Sequence, residues 1–270
     1  MNLNPLNSRE TEMTDNDATL ARTLIALLDL TSLNDDDSDA GIVELCQRAL
    51  TPVGAVAAVC VYPRFVALAR QTLDGLGGQT VAVATVVNFP AGNTALDEVL
   101  EQTRQALADG ADEIDVVYPY RALLAGDADS GFALVRACKA LCADRALLKV
   151  ILETGELADP ALTRQASLDA IEAGADFIKT STGKVAVNAT AGAARIMLEC
   201  IASSGMNVGL KPAGGMKTLD DARVYLELAE RINGAAWISP RHLRLGASSL
   251  LGDLLRHAGA DSAQVGGGAY

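Results

Sequence analysis

The chain has 270 residues, half of them apolar and 21% charged, with a formal net charge of −12. That balance supplies a sizeable core and excludes a nucleic-acid partner, because no local basic patch offsets the charge. No apolar run is long enough to span a bilayer, and the polar opening "MNLNPLNSRETEMTDNDATL" does not read as a secretory signal, so no membrane partner and a cytoplasmic location are expected.

In chain order, residues 1–16 read as a flexible tail, 17–258 as one domain, and 259–270 as a second flexible tail ending in Tyr270. Helices are expected over about 17–30 and 39–50, both before the first strand. The run "NDDDSD" (34–39) between them reads as a solvated loop and N-cap. Strand candidates follow at 55–62, 80–89, 113–118, 146–153, 176–181, 207–213, 235–239 and 243–248. They are short, rich in Val and Ile, and apolar on both faces, as in a parallel sheet covered by helices.

Between them lie segments of helical spacing. One opens at Pro63, one at an Asn93 cap and closes at Gly110, one at Asp159-Pro160 and closes at Gly174. "ADGADEIDVV" and "EAGADFIKTS" both read as helix end, glycine stop, then strand, like two turns of one βα repeat. Eight strands joined by helices indicate α/β architecture, a (β/α)8 TIM barrel with extra N-terminal helices. The alternative is an open doubly wound sheet. It lacks its G-x-G-x-x-G fingerprint, since "GLGGQT" has Thr80 where the third glycine belongs.

Five cysteines (Cys46, Cys60, Cys138, Cys142, Cys200) are scattered without a C-x-x-C pair and read as reduced thiols. With only His242 and His257, no multi-histidine zinc site is available, and no Cys/His spacing matches a zinc ribbon, so no metal is expected. Of 22 basic residues six are lysines, and Lys149, Lys179 and Lys211 lie inside apolar strand candidates. Strand alternation puts Phe177, Lys179 and Ser181 on one face, and Glu113, Asp115 and Val117 together on another strand.

A buried ammonium costs several kcal/mol unless it is paired or neutralised. One such lysine is as readily a structural ion pair as a reactive amine. Three near strand C-terminal ends, beside Asp115 and Glu153, favour a Schiff-base lysine tuned by a second lysine. "TSTGK" fails as a P-loop, because Ile178 stands where the first glycine belongs and Val185 follows the lysine. It remains a Gly-Lys loop past a strand end. With "KPAGGMKT" (211–218) and "LGASSLLGDLL" (245–255) it makes a phosphate site more favoured than three separate turns and caps.

"DLTSLNDDD", "ATVVNFPAGN", "GADEIDVVYPYRAL", "LLKVILETGEL", "GADFIKTSTGKVAVNAT", "GLKPAGG" and "RLGASSLL" closely resemble signatures of the deoxyribose-phosphate aldolase family, a class I Schiff-base family, from about Leu20 to Leu255 plus the final Tyr. The resemblance implies a cofactor-free barrel enzyme. It would reversibly cleave 2-deoxy-D-ribose 5-phosphate to D-glyceraldehyde 3-phosphate and acetaldehyde, in deoxyribonucleoside catabolism. It further implies that Lys179 forms the imine, Lys211 perturbs that lysine's pKa, Asp115 transfers protons through water and Tyr270 shuttles a proton at C2. Gly183, Lys184, Gly214, Gly215, Ser248 and Ser249 match phosphate-binding positions; Asp29, Thr31 and Lys149 match supporting ones. The expected partner is a small phosphorylated sugar, with self-association as a homodimer left open.

Overall fold

In a computed structural model of the chain, residues 5–260 are described, with side chains from Asp15 onward. Helix α1 (Pro5–Ala26) passes through a turn at Leu27 straight into strand β1 (Leu28–Thr31). The remaining barrel strands are β2 (Ala58–Val61), β3 (Ala82–Val87), β4 (Glu113–Val117), β5 (Leu147–Ile151), β6 (Phe177–Lys179), β7 (Gly209–Lys211) and β8 (Leu245–Ala247). They pair in parallel in chain order, and β8 returns to β1 with Leu28 opposite Leu245. The β7–β8 seam closes through bridges Leu210 to Leu243 and Ala213 to Gly246. The result is the eight-stranded barrel expected from the repeat.

A helix follows each strand on the outside: α2 (Asp39–Ala49), α3 (Val66–Gly75), α4 (Leu96–Ala108), α5 (Asp129–Cys142), α6 (Pro160–Glu172), α7 (Ala191–Ser204), α8 (Leu219–Asn233) and α9 (Leu250–His257). Helix α1 packs against α9. Local chemistry sets several starts. Ser38 caps α2 by accepting from Gly41 N–H, and Asp159 caps α6 by accepting from Ala161 N–H with Pro160 at the first helical position. All five cysteines are buried and free. No described helix is long and apolar enough to cross a membrane.

Four expectations are corrected. The segment expected to end a first helix contains β1, so among the described residues α1 alone precedes the barrel and α2 is its first crossover helix. "LIALLDLT" has no glycine or proline to mark the change, and its apolar residues satisfy either period. Residues 235–239 are not a strand. Ala235–Trp237 is a short 3-10 helix, with Trp237 stacked on His242 at 5.3 Å between ring centres. Helix α1 begins at Pro5 rather than near residue 17. Helix α4 is capped at Ala95, not Asn93.

The main apolar core fills the space between barrel and helices. Inside the barrel the filling is lopsided. Strands β2 and β3 present small apolar groups (Ala58, Cys60, Ala84, Val86), whereas β1 and β4 to β7 present charged side chains.

Candidate active site

The parallel register brings the charged residues together. Asp115 on β4 lies opposite Lys149 on β5, and Lys179 on β6 lies opposite Lys211 on β7. Lys179 Nζ and Lys211 Nζ each donate to Asp115 Oδ2 at 2.8 Å, and Lys149 Nζ donates to Oδ1 of the same carboxylate at 3.0 Å. Lys149 also bonds to Glu113. Lys211 Nζ sits 2.6 Å from Asp29 Oδ2, an ion pair in contact but off hydrogen-bond direction. Beneath them Arg244, just before β8, donates to Asp29 Oδ1 at 2.7 Å and to Glu113 Oε1 at 2.8 Å.

Asp29, Asp115, Lys149 and Lys211 have no exposed surface, and Lys179 keeps 3%. Single buried charges of this kind are tolerated only because each has a partner. Burial alone would raise the Asp115 carboxyl. Lys149, Lys179 and Lys211 outweigh it and hold the group well below the usual carboxylate range. The same contest leaves Asp29 depressed, with Lys211 and Arg244 prevailing over burial. For Lys211 burial pushes down, but Asp115 and Asp29 hold it above the ordinary lysine value. Lys149 is likewise raised against burial, by Asp115 and Glu113. Among the described residues no group of three or more His, Cys, Asp or Glu side chains is placed to hold a metal ion.

Above the cluster opens a cleft of about 240 Å³ at the C-terminal mouth. Lys179, Thr31, Gly183, Lys184, Gly214, Gly215, Ser248 and Ser249 all line it, as does Lys217. Among the described residues the lining holds three lysines and no carboxylate, in a chain of net charge −12. The loop carrying Lys184 is tied down from below. Glu153 accepts from Thr182 N–H at 3.2 Å and from its hydroxyl at 2.5 Å, and Thr182 Oγ1 accepts from Lys184 N–H. Burial, the largest influence, raises the Glu153 carboxyl above its ordinary value. Two glycines permit close approach here. A Cβ at Gly155 would lie 2.0 Å from the Val187 carbonyl oxygen, and one at Gly214 would lie 2.8 Å from Asn188 Cβ.

Twelve of the residues singled out in the sequence therefore converge: Asp29, Asp115, Lys149 and Lys211 beneath the cleft, the other eight on it. Thr31 also donates its hydroxyl to the Asp29 carbonyl. Tyr270 lies outside the described residues. Sequence reasoning missed Arg244, Glu113 and Lys217 as parts of the site. Arg244 carried a usable signal, a cation in the apolar run "HLRLGAS" like Lys179 in its own strand.

A profile of the DeoC/LacD family aldolases matches residues 23–252. The chain belongs to the DeoC/LacD aldolase family. Solved structures agree with that assignment. A candidate deoxyribose-phosphate aldolase from Toxoplasma gondii is 27% identical, covers 91% of this chain and 98% of its own, and superposes with a TM-score of 0.84. One from Coccidioides immitis is 26% identical over 94% of this chain and 98% of its own, with a TM-score of 0.77. The deoxyribose phosphate aldolase of Aeropyrum pernix, 22% identical over 90% of this chain and 95% of its own, shares the fold with a TM-score of 0.72. This DeoC/LacD protein is an aldolase, its charged cluster and cleft lying at the barrel end where such enzymes carry their sites.

Proposed function

We propose that the protein is a class I, metal-independent deoxyribose-phosphate aldolase that forms an imine on Lys179. The observation that carries the reading is the difference among three interior lysines. Lys149 and Lys211 are sealed and each is held by more than one carboxylate, whereas Lys179 contacts one carboxylate and alone reaches the cleft. An amine so placed can meet a carbonyl carbon.

The chemistry follows from the layout. The Lys179 amine adds to the C1 aldehyde and water leaves, giving a protonated imine. Loss of the C3 hydroxyl proton, taken by Asp115 through water, lets the C2–C3 bond break with its electrons entering the imine. D-Glyceraldehyde 3-phosphate departs and an enamine remains. Protonation at C2 and hydrolysis release acetaldehyde and restore the amine. The C2 proton is assigned to Tyr270 on the family resemblance alone. Lys211 stays a cation beside Lys179 and disfavours a second ammonium there. The 5-phosphate is assigned to the loops at Gly183–Lys184, Gly214–Gly215 and Ser248–Ser249, because that cleft offers cations and the start of α9, with no carboxylate among the described residues of its lining. Metal independence is supported by the donor set: ammonium and guanidinium groups already engage the interior carboxylates. A role in deoxyribonucleoside catabolism is assigned on the family resemblance alone.

The deciding experiment is borohydride reduction in the presence of acetaldehyde followed by peptide mass spectrometry. The modification is expected on Lys179. Labelling of Lys184 or Lys211 instead overturns the assignment.

A further inference from the structure

Among the described residues, the side chains in ionic contact inside the barrel hold more cations than anions. Lys149 on β5, Lys179 on β6, Lys211 on β7 and Arg244 before β8 share three contacting carboxylates, Asp29 on β1 and Glu113 and Asp115 on β4. Strand β2 adds Cys60, whose thiol burial keeps protonated and uncharged. Strand β3 (Ala-Val-Ala-Thr-Val-Val) adds no titratable group. Glu153, past the end of β5, lies close enough to feel the Lys179 charge, but it is bonded to Thr182, makes no ion pair among the described residues and is left unaltered in every variant below.

With every cation protonated, four positive and three negative charges leave the contacting cluster at +1. Losing one proton relieves it. An arginine cannot supply that proton. Lys149 and Lys211 each sit against two or more carboxylates. Lys179 touches a single oxygen, which Lys211 shares. Arg244 engages both Glu113 and Asp29, anions that would otherwise serve the lysines above.

We propose that Arg244 is a positioning residue: by engaging Glu113 and Asp29 from the barrel floor it leaves the lysines one anion short and makes Lys179 the amine that sheds its proton. The proposal rests on Lys179 forming the imine. Arg244 does not line the cleft and acts only through the carboxylates.

The test is the pH dependence of cyanoborohydride trapping with acetaldehyde, read by mass spectrometry on Lys179, in the unaltered protein, Arg244→Gln, Glu113→Gln and the double variant. Arg244→Gln balances the cluster, so its trapping midpoint should move up by about one pH unit. Glu113→Gln leaves a larger positive excess and should move the midpoint down. The double variant restores +1 and should return close to the unaltered midpoint. A merely structural role would lower the extent of labelling without this pattern. If Arg244→Gln does not fold, the downward shift in Glu113→Gln and its reversal in the double variant carry the same decision. Labelling of Lys179 with one common midpoint in all folded proteins overturns the role of Arg244 alone. Labelling of another lysine in the unaltered protein overturns the imine assignment beneath it.

Discussion

The floor and the mouth of the barrel use cations in opposite ways. On the floor Lys149, Lys211 and Arg244 are shut away from water and fixed by Asp29, Glu113 and Asp115. At the mouth Lys184 and Lys217 stand exposed on a cleft without a carboxylate among the described residues of its lining. Paired charge in a dry interior is rigid and shapes the chemistry of its neighbours. Exposed charge that no carboxylate answers is available to an anionic ligand. Lys179 stands at the boundary, held by Asp115 from below and open to the cleft above.

The strongest way to break that contrast is to remove the boundary residue. Lys179→Leu should lower cleavage roughly a thousandfold or more and abolish borohydride trapping, with an unchanged circular dichroism spectrum. Lys184→Met should still be trapped by acetaldehyde, which carries no phosphate. Asp115→Asn attacks the floor. It withdraws the anion shared by three ammonium groups and should cost about 3–5 kcal/mol of stability in urea unfolding. A loss within experimental error would mean that the cluster holds itself together without that carboxylate.

At the mouth, Ser248→Asp introduces a like charge at the proposed phosphate site. It should cut kcat/KM for the phosphorylated sugar about a hundredfold while affecting plain deoxyribose only a few-fold. Equal losses on both substrates would assign that loop a structural role. Gly155→Ala tests the connection beneath the mouth. Its Cβ would collide with the Val187 carbonyl, so about 1–3 kcal/mol of stability should be lost and KM for the phosphorylated sugar should rise.

The smallest effect is expected from pH. Asp29 and Asp115 are depressed in the folded protein, so their contribution is present above the unfolded carboxylate value and lost as pH falls through the folded one. Lys149 and Lys211 are raised, so theirs is present below the unfolded lysine value and lost only as pH rises past the folded one. These four groups should therefore contribute a constant stability from roughly pH 5 to 9, with losses outside both limits. Thermal melts of Lys179→Leu, which keeps all four groups, should be flat across that range; a slope there would mean that one of the four titrates within it.

Much of the site could be read along the chain because its signals are local. A glycine stop followed by an apolar strand repeats at Gly110 and Gly174, and alternation within "DFIKTS" and "EIDVVY" places Lys179 and Asp115 on defined faces. Glycine and serine after strand ends marked the cleft for the same reason. What escaped was non-local. Strand β1 sits in a stretch whose apolar residues fit a helix as well as a strand, and only the open edges of β2 and β8, which need backbone partners on both sides, decide in favour of the strand. Residues 235–239 have strand-like composition, but the rung they would fill is occupied by β1, and Trp237 turns to stack on His242. Arg244 meets Asp29 across 215 positions of sequence and Glu113 across 131. By itself the sequence determined the repeat, the inward faces and the chemistry of the individual side chains. Which charges are answered, by which partners and in what number, was decided by barrel closure, because an ion pair depends on distance in space and the strands that set those distances are far apart in the chain.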